Sequence, residues 1–149
     1  MQYLLDGYNI LFALEDSSLP LQKRRDQLIL FLQTEFAAAH LRGILVFDNA
    51  QNIHSHAYPS PLQIAYAPPK MGADAYLLEL VEGARLPAQI TVITNDQGLA
   101  RKARALGAHT ASVATLMRLF KRKHTDSEVK PQSMSQYELE RLRKLFEGG

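Results

Sequence analysis

The sequence predicts an α/β domain whose central sheet is mostly parallel and is covered by helices on both faces. Three observations predict it. Short apolar runs recur at residues 3–5, 44–47 and 90–94, and helical patterns alternate with them along the first 120 or so residues. Each of these three runs stops on or just before an acid, Asp6, Asp48 or Asp96. Continuous apolar runs suit strands buried on both faces, as parallel strands are. Alternating strands and helices imply βαβ units, whose right-handed crossovers bring every strand's carboxyl end to one edge of the sheet.

The elements follow in order. Tyr3, Leu4 and Leu5 form a short buried strand that ends on Asp6, with a sharp turn expected at Gly7, where the lack of a Cβ permits a positive φ. Residues 14–20 have loop composition. From Leu21 to about His40 the spacing is helical, with Leu21, Leu28, Ile29, Leu32 and Phe36 on one face and Lys23, Arg24, Asp26, Gln27 and Gln33 elsewhere. Gly43 closes the connection to the strand 44–47. Residues 51–61, with His54 and His56, read as an irregular loop, and a pair of histidines two apart with no further partner points to a solvated loop rather than a metal site. Leu62 to Ala67 alternates with period two, as a strand does, and Pro68-Pro69 terminates it. A helix is expected over about 73–84, a strand over 90–94, a helix over 99–106 closed by Gly107, a last short strand over 111–113, and a short helix marked by Leu116, Leu119 and Phe120. The predicted organisation is a domain over residues 1–123, a linker over 124–134, and an amphipathic helix over 135–149 that opens on the capping box Ser135-Gln136-Tyr137-Glu138.

A chain of 149 residues suits one domain with a real core. It is 46% hydrophobic and 21% charged, ordinary for a globular protein, and its net charge of +2 leaves any nucleic-acid affinity to a local patch. There is no cysteine, which excludes disulfides, thiolate metal sites and a cysteine nucleophile. No apolar run approaches the roughly 20 residues that span a bilayer, and no basic segment precedes an apolar one at the start. A cytoplasmic protein without a membrane partner is the expectation.

Asp6, Asp48 and Asp96 at strand ends are joined by Asp74, in the first turn of a helix that starts after Lys70-Met71-Gly72. Carboxylates gathered at one edge repel, and some must stay protonated unless a cation joins them. An all-oxygen set without thiols suits Mg²⁺ or Mn²⁺. Asp6, Asp74 and Asp96 are the stronger candidates and Asp48 the weaker, with Asn9, three residues after Asp6, able to support the same ligand. The alternative for each acid singly is a helix cap.

These residues carry a resemblance. Asp6-Gly7-Tyr8-Asn9, Lys70-Met71-Gly72-Ala73-Asp74 and Thr94-Asn95-Asp96-Gln97-Gly98-Leu99-Ala100 resemble the three signature segments of the NYN domains, a branch of the PIN-like nucleases, and most of all those of the small bacterial YacP-like proteins. The likeness spans about residues 1–120. It implies a three-layer α/β/α sandwich and metal-dependent, endonucleolytic cleavage of RNA. Asp6, Asp74 and Asp96 would be the metal-site acids, and Asn9 and Asn95 polar supports. Asp48 matches less firmly, and Met71 is an insertion relative to the commoner Lys-Gly-Ala-Asp spacing. The implied partner is RNA, single-stranded or ribosome-associated. Arg101, Lys102 and Arg104 follow Asp96 directly and are expected to line the cleft, with Lys70 and Asn95 as further contacts. Two other functions compete. One is a non-catalytic RNA-binding or ribosome-associated module on the same fold. The other, a phosphatase of the haloacid-dehalogenase type, is disfavoured because Tyr8 stands where that chemistry wants a second acid.

Overall fold

The computed structural model describes residues 1–14, 19–48 and 61–127, with side chains described as far as Arg122. The elements run β1 (Gln2–Asp6), α1 (Gly7–Leu14), α2 (Leu21–Ala38), β2 (Arg42–Phe47), β3 (Leu62–Tyr66), α3 (Gly72–Glu82), a 3-10 turn (Pro87–Gln89), β4 (Ile90–Ile93), α4 (Gln97–Ala105), β5 (His109–Ala111) and α5 (Val113–Ser127). The five strands form one sheet in the order β3-β2-β1-β4-β5, and every pairing is parallel. β1 is the central strand. It pairs with β2 on one side and with β4 on the other, so Leu4 faces Ile44 and Val92 while Leu5 faces Leu45 and Ile93.

Alternation along the strands divides the core into two layers. Leu5, Leu45, Phe47, Ile64 and Ile93 pack with α1, α2 and α5, through Ile10, Leu28, Leu32, Phe36, Leu116 and Phe120. Leu4, Val46 and Val92 pack on the other face with α3 and α4, through Leu77, Val81, Leu99 and Ala103. The three-layer α/β/α expectation holds.

Several local expectations are corrected. Gly7 does not make a turn of positive φ; it opens α1, and its φ is not among the positive ones. Glycine is needed there for a different reason: a Cβ would lie 2.5 Å from the Phe47 ring and 2.7 Å from the Val46 carbonyl oxygen. Gly43 lies inside β2 rather than before it, where a side chain would strike the Tyr3 carbonyl oxygen at 2.5 Å. The last strand ends at Ala111, two residues earlier than its apolar run suggested, because Ser112 caps α5: its Oγ accepts from the backbone N–H of Thr115 at 3.1 Å. α5 in turn continues to Ser127, four residues into the segment expected to be a linker. The rest of that segment, the expected helix 135–149, and the loop carrying His54 and His56 lie outside the described residues.

Candidate acidic site at the carboxyl edge

α1, α3, α4 and α5 each begin at or shortly after the carboxyl end of a strand, so their amino ends gather at one edge of the sheet. In the order 3-2-1-4-5 the direction of winding reverses between β1 and β4, which is where open parallel sheets hold ligands. Asp6 ends β1 on one side of that seam, and Thr94, Asn95 and Asp96 follow β4 on the other.

Asp6 is 6% exposed. Among the described residues its hydrogen-bond donor is the Thr94 hydroxyl, 3.0 Å from Oδ2. That hydroxyl accepts from the Asp96 backbone N–H, also at 3.0 Å, which commits its proton to Asp6. Burial pushes the Asp6 carboxyl up to about 6; the Thr94 bond offsets part of this, and the charges of Asp74, Asp48 and Asp96 push further upward. Asp74, in the first turn of α3, is raised by burial and then by Asp96 and Asp48, with Lys102 pulling the other way. The four aspartates therefore share one electrostatic environment, and the insertion at Met71 does not remove Asp74 from it. The insertion is absorbed in a turn, where the Met71 N–H donates to the Pro68 carbonyl at 2.9 Å and Gly72 takes a φ of 77°.

Two of the acids also cap helices. Asp96 Oδ1 accepts from the N–H groups of Gly98 and Leu99 at 2.9 and 3.2 Å, holding the start of α4. Asp48 Oδ1 accepts from the Ala73 N–H at 2.6 Å, tying the end of β2 to α3. The helix-cap and shared-cluster readings of these residues are thus not exclusive. Positive helix ends offset part of the like-charge repulsion that gathers here. The two asparagines stitch the seam together: Asn9 Oδ1 accepts from the Asn95 N–H at 2.6 Å, and Asn95 Oδ1 accepts from the Val113 N–H at 3.0 Å. Among the described residues, no three acidic or histidine side chains stand in a ready-made metal cage.

The basic residues are brought to the site unequally. Lys102 acts on Asp74, whereas Arg104 Nη1 donates to Thr110 Oγ1 at 2.8 Å on the edge strand. Arg104 lies eight residues beyond Asp96, about 12 Å along the helix at 1.5 Å per residue. Arg101 and Lys70 are exposed, Arg101 on α4 and Lys70 in the turn before α3. Thr94, which orients Asp6, was missed as a site residue, although its place directly after β4 in a Thr-Asn-Asp run is a usable signal. A groove of about 630 Å³ at the opposite, amino edge, lined by Met1, Arg42, Gln63, Arg85 and Ile90 among others, holds no acid and is not part of this site.

A parallel sheet with aspartates gathered at the seam of its central strand is the arrangement of a PIN-like nuclease fold. The chain belongs to the YacP-like NYN family, whose model matches residues 3–147. Two crystal structures of Rae1 (YacP) from Bacillus subtilis share its fold, both with a TM-score of 0.63. One, of a tryptophan-to-leucine mutant, is 21% identical over 99% of this chain and 93% of its own; the other is 19% identical over 97% and 93%. No curated protein matches.

Proposed function

We propose that this protein is a metal-dependent ribonuclease, acting endonucleolytically in the cytoplasm, that hydrolyses RNA phosphodiester bonds at the Asp6, Asp48, Asp74, Asp96 edge. One observation carries the reading: the buried Asp6 carboxyl is raised to about 6 partly by the other three acids, at the seam where the fold places ligands. Such a cluster is unfavourable by itself and becomes favourable when a cation joins it. Its donors are all hard oxygens, which suits Mg²⁺ or Mn²⁺ held by Asp6, Asp74 and Asp96 with Asp48 beside them. When bound, such an ion supplies a nucleophilic water near neutral pH and neutralises charge on the scissile phosphate.

The chain's own residues do the rest. Thr94 donates to Asp6 Oδ2 and holds that carboxylate in place. Asp48 and Asp96 hold the starts of α3 and α4 by capping their first N–H groups. Asn9 and Asn95 keep the two sides of the seam in register, and Lys102 places a positive charge beside Asp74. Incubation of the purified chain with labelled single-stranded RNA tests the reading. Internal cleavage with Mg²⁺ or Mn²⁺ and none with a chelator is expected; intact RNA under both conditions contradicts it.

One observation favours the second reading, a non-catalytic RNA-binding or ribosome-associated module: Asp48 and Asp96 each spend an oxygen on a helix cap, and no ready-made metal cage stands among the described residues. Under that reading RNA binds, divalent ions change nothing, and no cleavage is seen.

A further inference from the structure

A second group of side chains on the carboxyl edge, on the α1–α2 side of the acids, is not used by the reaction. Phe12 on α1 is 60% exposed. Its inner side stacks on Tyr8, with centroids 6.0 Å apart and planes at 19°, and the Arg24 guanidinium lies over the ring at 5.5 Å. Tyr8 meets Phe47 edge-on at 4.9 Å, and Phe47 stacks on Tyr66 at 5.8 Å. Arg25 reaches into this row, where its Nη1 donates to the Tyr8 hydroxyl at 2.9 Å and its guanidinium carbon lies 6.0 Å from the Tyr66 ring centre.

Arg25 is the anomaly. It is 5% exposed, its Nε has no hydrogen-bond partner, and no carboxylate among the described residues pairs with it. A buried cation without a counter-anion is unfavourable, and a core gains nothing from it. An anion arriving from outside meets a buried positive charge that no carboxylate among the described residues neutralises. The combination of an exposed aromatic ring, a guanidinium over it, and a buried positive charge behind it suits an unpaired base with its phosphate. Phe12 lies six residues beyond Asp6, about 9 Å along α1 at 1.5 Å per residue, so a strand crossing the acids can reach it.

We propose that Tyr8, Phe12, Arg24 and Arg25 form a nucleotide subsite that stacks a base of single-stranded RNA next to the scissile phosphate. The base packs against the exposed part of the Phe12 ring, Tyr8 backs that ring, and the two guanidinium groups supply the positive field for the phosphate. The subsite rests on the ribonuclease reading, and it sends the strand over α1 and α2 rather than along α4.

The test is fluorescence anisotropy of the full chain with a short labelled single-stranded RNA in chelator, paired with cleavage rates in Mn²⁺. Phe12→Ala should weaken binding about tenfold, the loss of one stacked base, and raise KM with kcat little changed. Phe12→Trp should bind at least as tightly as wild type. On an oligonucleotide abasic at the stacked position, Phe12→Ala should no longer matter. Arg24→Gln should reduce the slope of log affinity against log salt by about one contact. Thermal unfolding of Phe12→Ala near wild type confirms that its exposed ring is not holding the fold. If wild type binds and cuts RNA while Phe12→Ala does both equally well, the subsite is overturned and the ribonuclease reading stands; a ring that serves a protein partner gives this result. An equal loss on abasic RNA also overturns base stacking. A wild type with no affinity for RNA overturns the ribonuclease reading and the subsite together.

Discussion

The two halves of the carboxyl edge handle charge in opposite ways. At the seam of β1 and β4, four aspartates crowd together and are tied down by Thr94 and by helix amino ends. On the α1–α2 side, Arg25 is buried against aromatic rings with a tyrosine hydroxyl as its hydrogen-bond partner and, among the described residues, no carboxylate beside it. Neither half neutralises the other, although Tyr8 is two residues from Asp6. Among the described residues, the acids of one half outnumber the Lys102 cation beside them, and the buried cation of the other has no carboxylate. A phosphodiester strand accompanied by a divalent ion brings a cation to the first and an anion to the second, and that is the physical content of the functional proposal.

Removing charge from the acidic half should have the largest effect. Asp6→Asn keeps the Thr94 partner and should lower metal-dependent cleavage by about a hundredfold or more, as expected for the loss of several kcal/mol of charge stabilisation. The same variant has a pH signature. The folded carboxyl titrates at about 6 against an ordinary 3.8, so the folded protein keeps a proton that the unfolded chain has lost between those values. The Asp6 contribution to stability is therefore full below about pH 4 and falls away as pH rises through about 6. Urea unfolding of the metal-free protein should show that decline in wild type and lose it in Asp6→Asn, which should be more stable at about pH 7 by up to about 3 kcal/mol.

Gly7 joins the two halves, because it brings α1 against the Phe47 ring. Gly7→Ala should cost about 2 kcal/mol or more of stability, since neither the ring nor the Val46 carbonyl can retreat by the needed distance. Chemical denaturation measures it, and a neutral result contradicts the close approach. Asn9→Ala removes a single hydrogen bond across the seam and should cost about 1 kcal/mol. Smallest of all should be the effect on RNA affinity of replacing Arg101, Lys102 and Arg104 together by alanine. Arg104 is engaged with Thr110 and the strand runs over α1 and α2, so the salt slope should drop by less than the one contact expected for Arg24→Gln. A larger drop than that of Arg24→Gln moves the strand to α4 and reverses the comparison.

Much of the acidic half was legible in the sequence. Apolar runs that stop on Asp6, Asp48 and Asp96 mark the carboxyl ends of parallel strands, and the topology gathers those ends. What was not legible has physical causes. α1 is apolar nearly throughout, from Ile10 to Leu14, so it has no polar face from which a helical period can be read. Arg24 and Arg25 look like part of a solvated helix face, because nothing in a linear pattern shows that α1 and β3 place aromatic rings beneath them. Thr94 acts on the Asp6 carboxylate, 88 positions away in sequence, which only the folded seam brings near.

Asp74 gives the most direct test of the central claim. Among the described residues it accepts no hydrogen bond, and its carboxyl is raised by burial and then by the charges around it, so Asp74→Asn changes the electrostatics of the cluster without removing a cap or a strand contact. The measurement is the rate of RNA cleavage against Mn²⁺ concentration for wild type and Asp74→Asn, with thermal unfolding as the control on folding. The account predicts an intact fold, a metal requirement shifted to higher concentration, and a rate at least about tenfold lower, as for a lost charged ligand. Cleavage by Asp74→Asn at the wild-type rate and with the wild-type metal dependence contradicts a shared acidic centre.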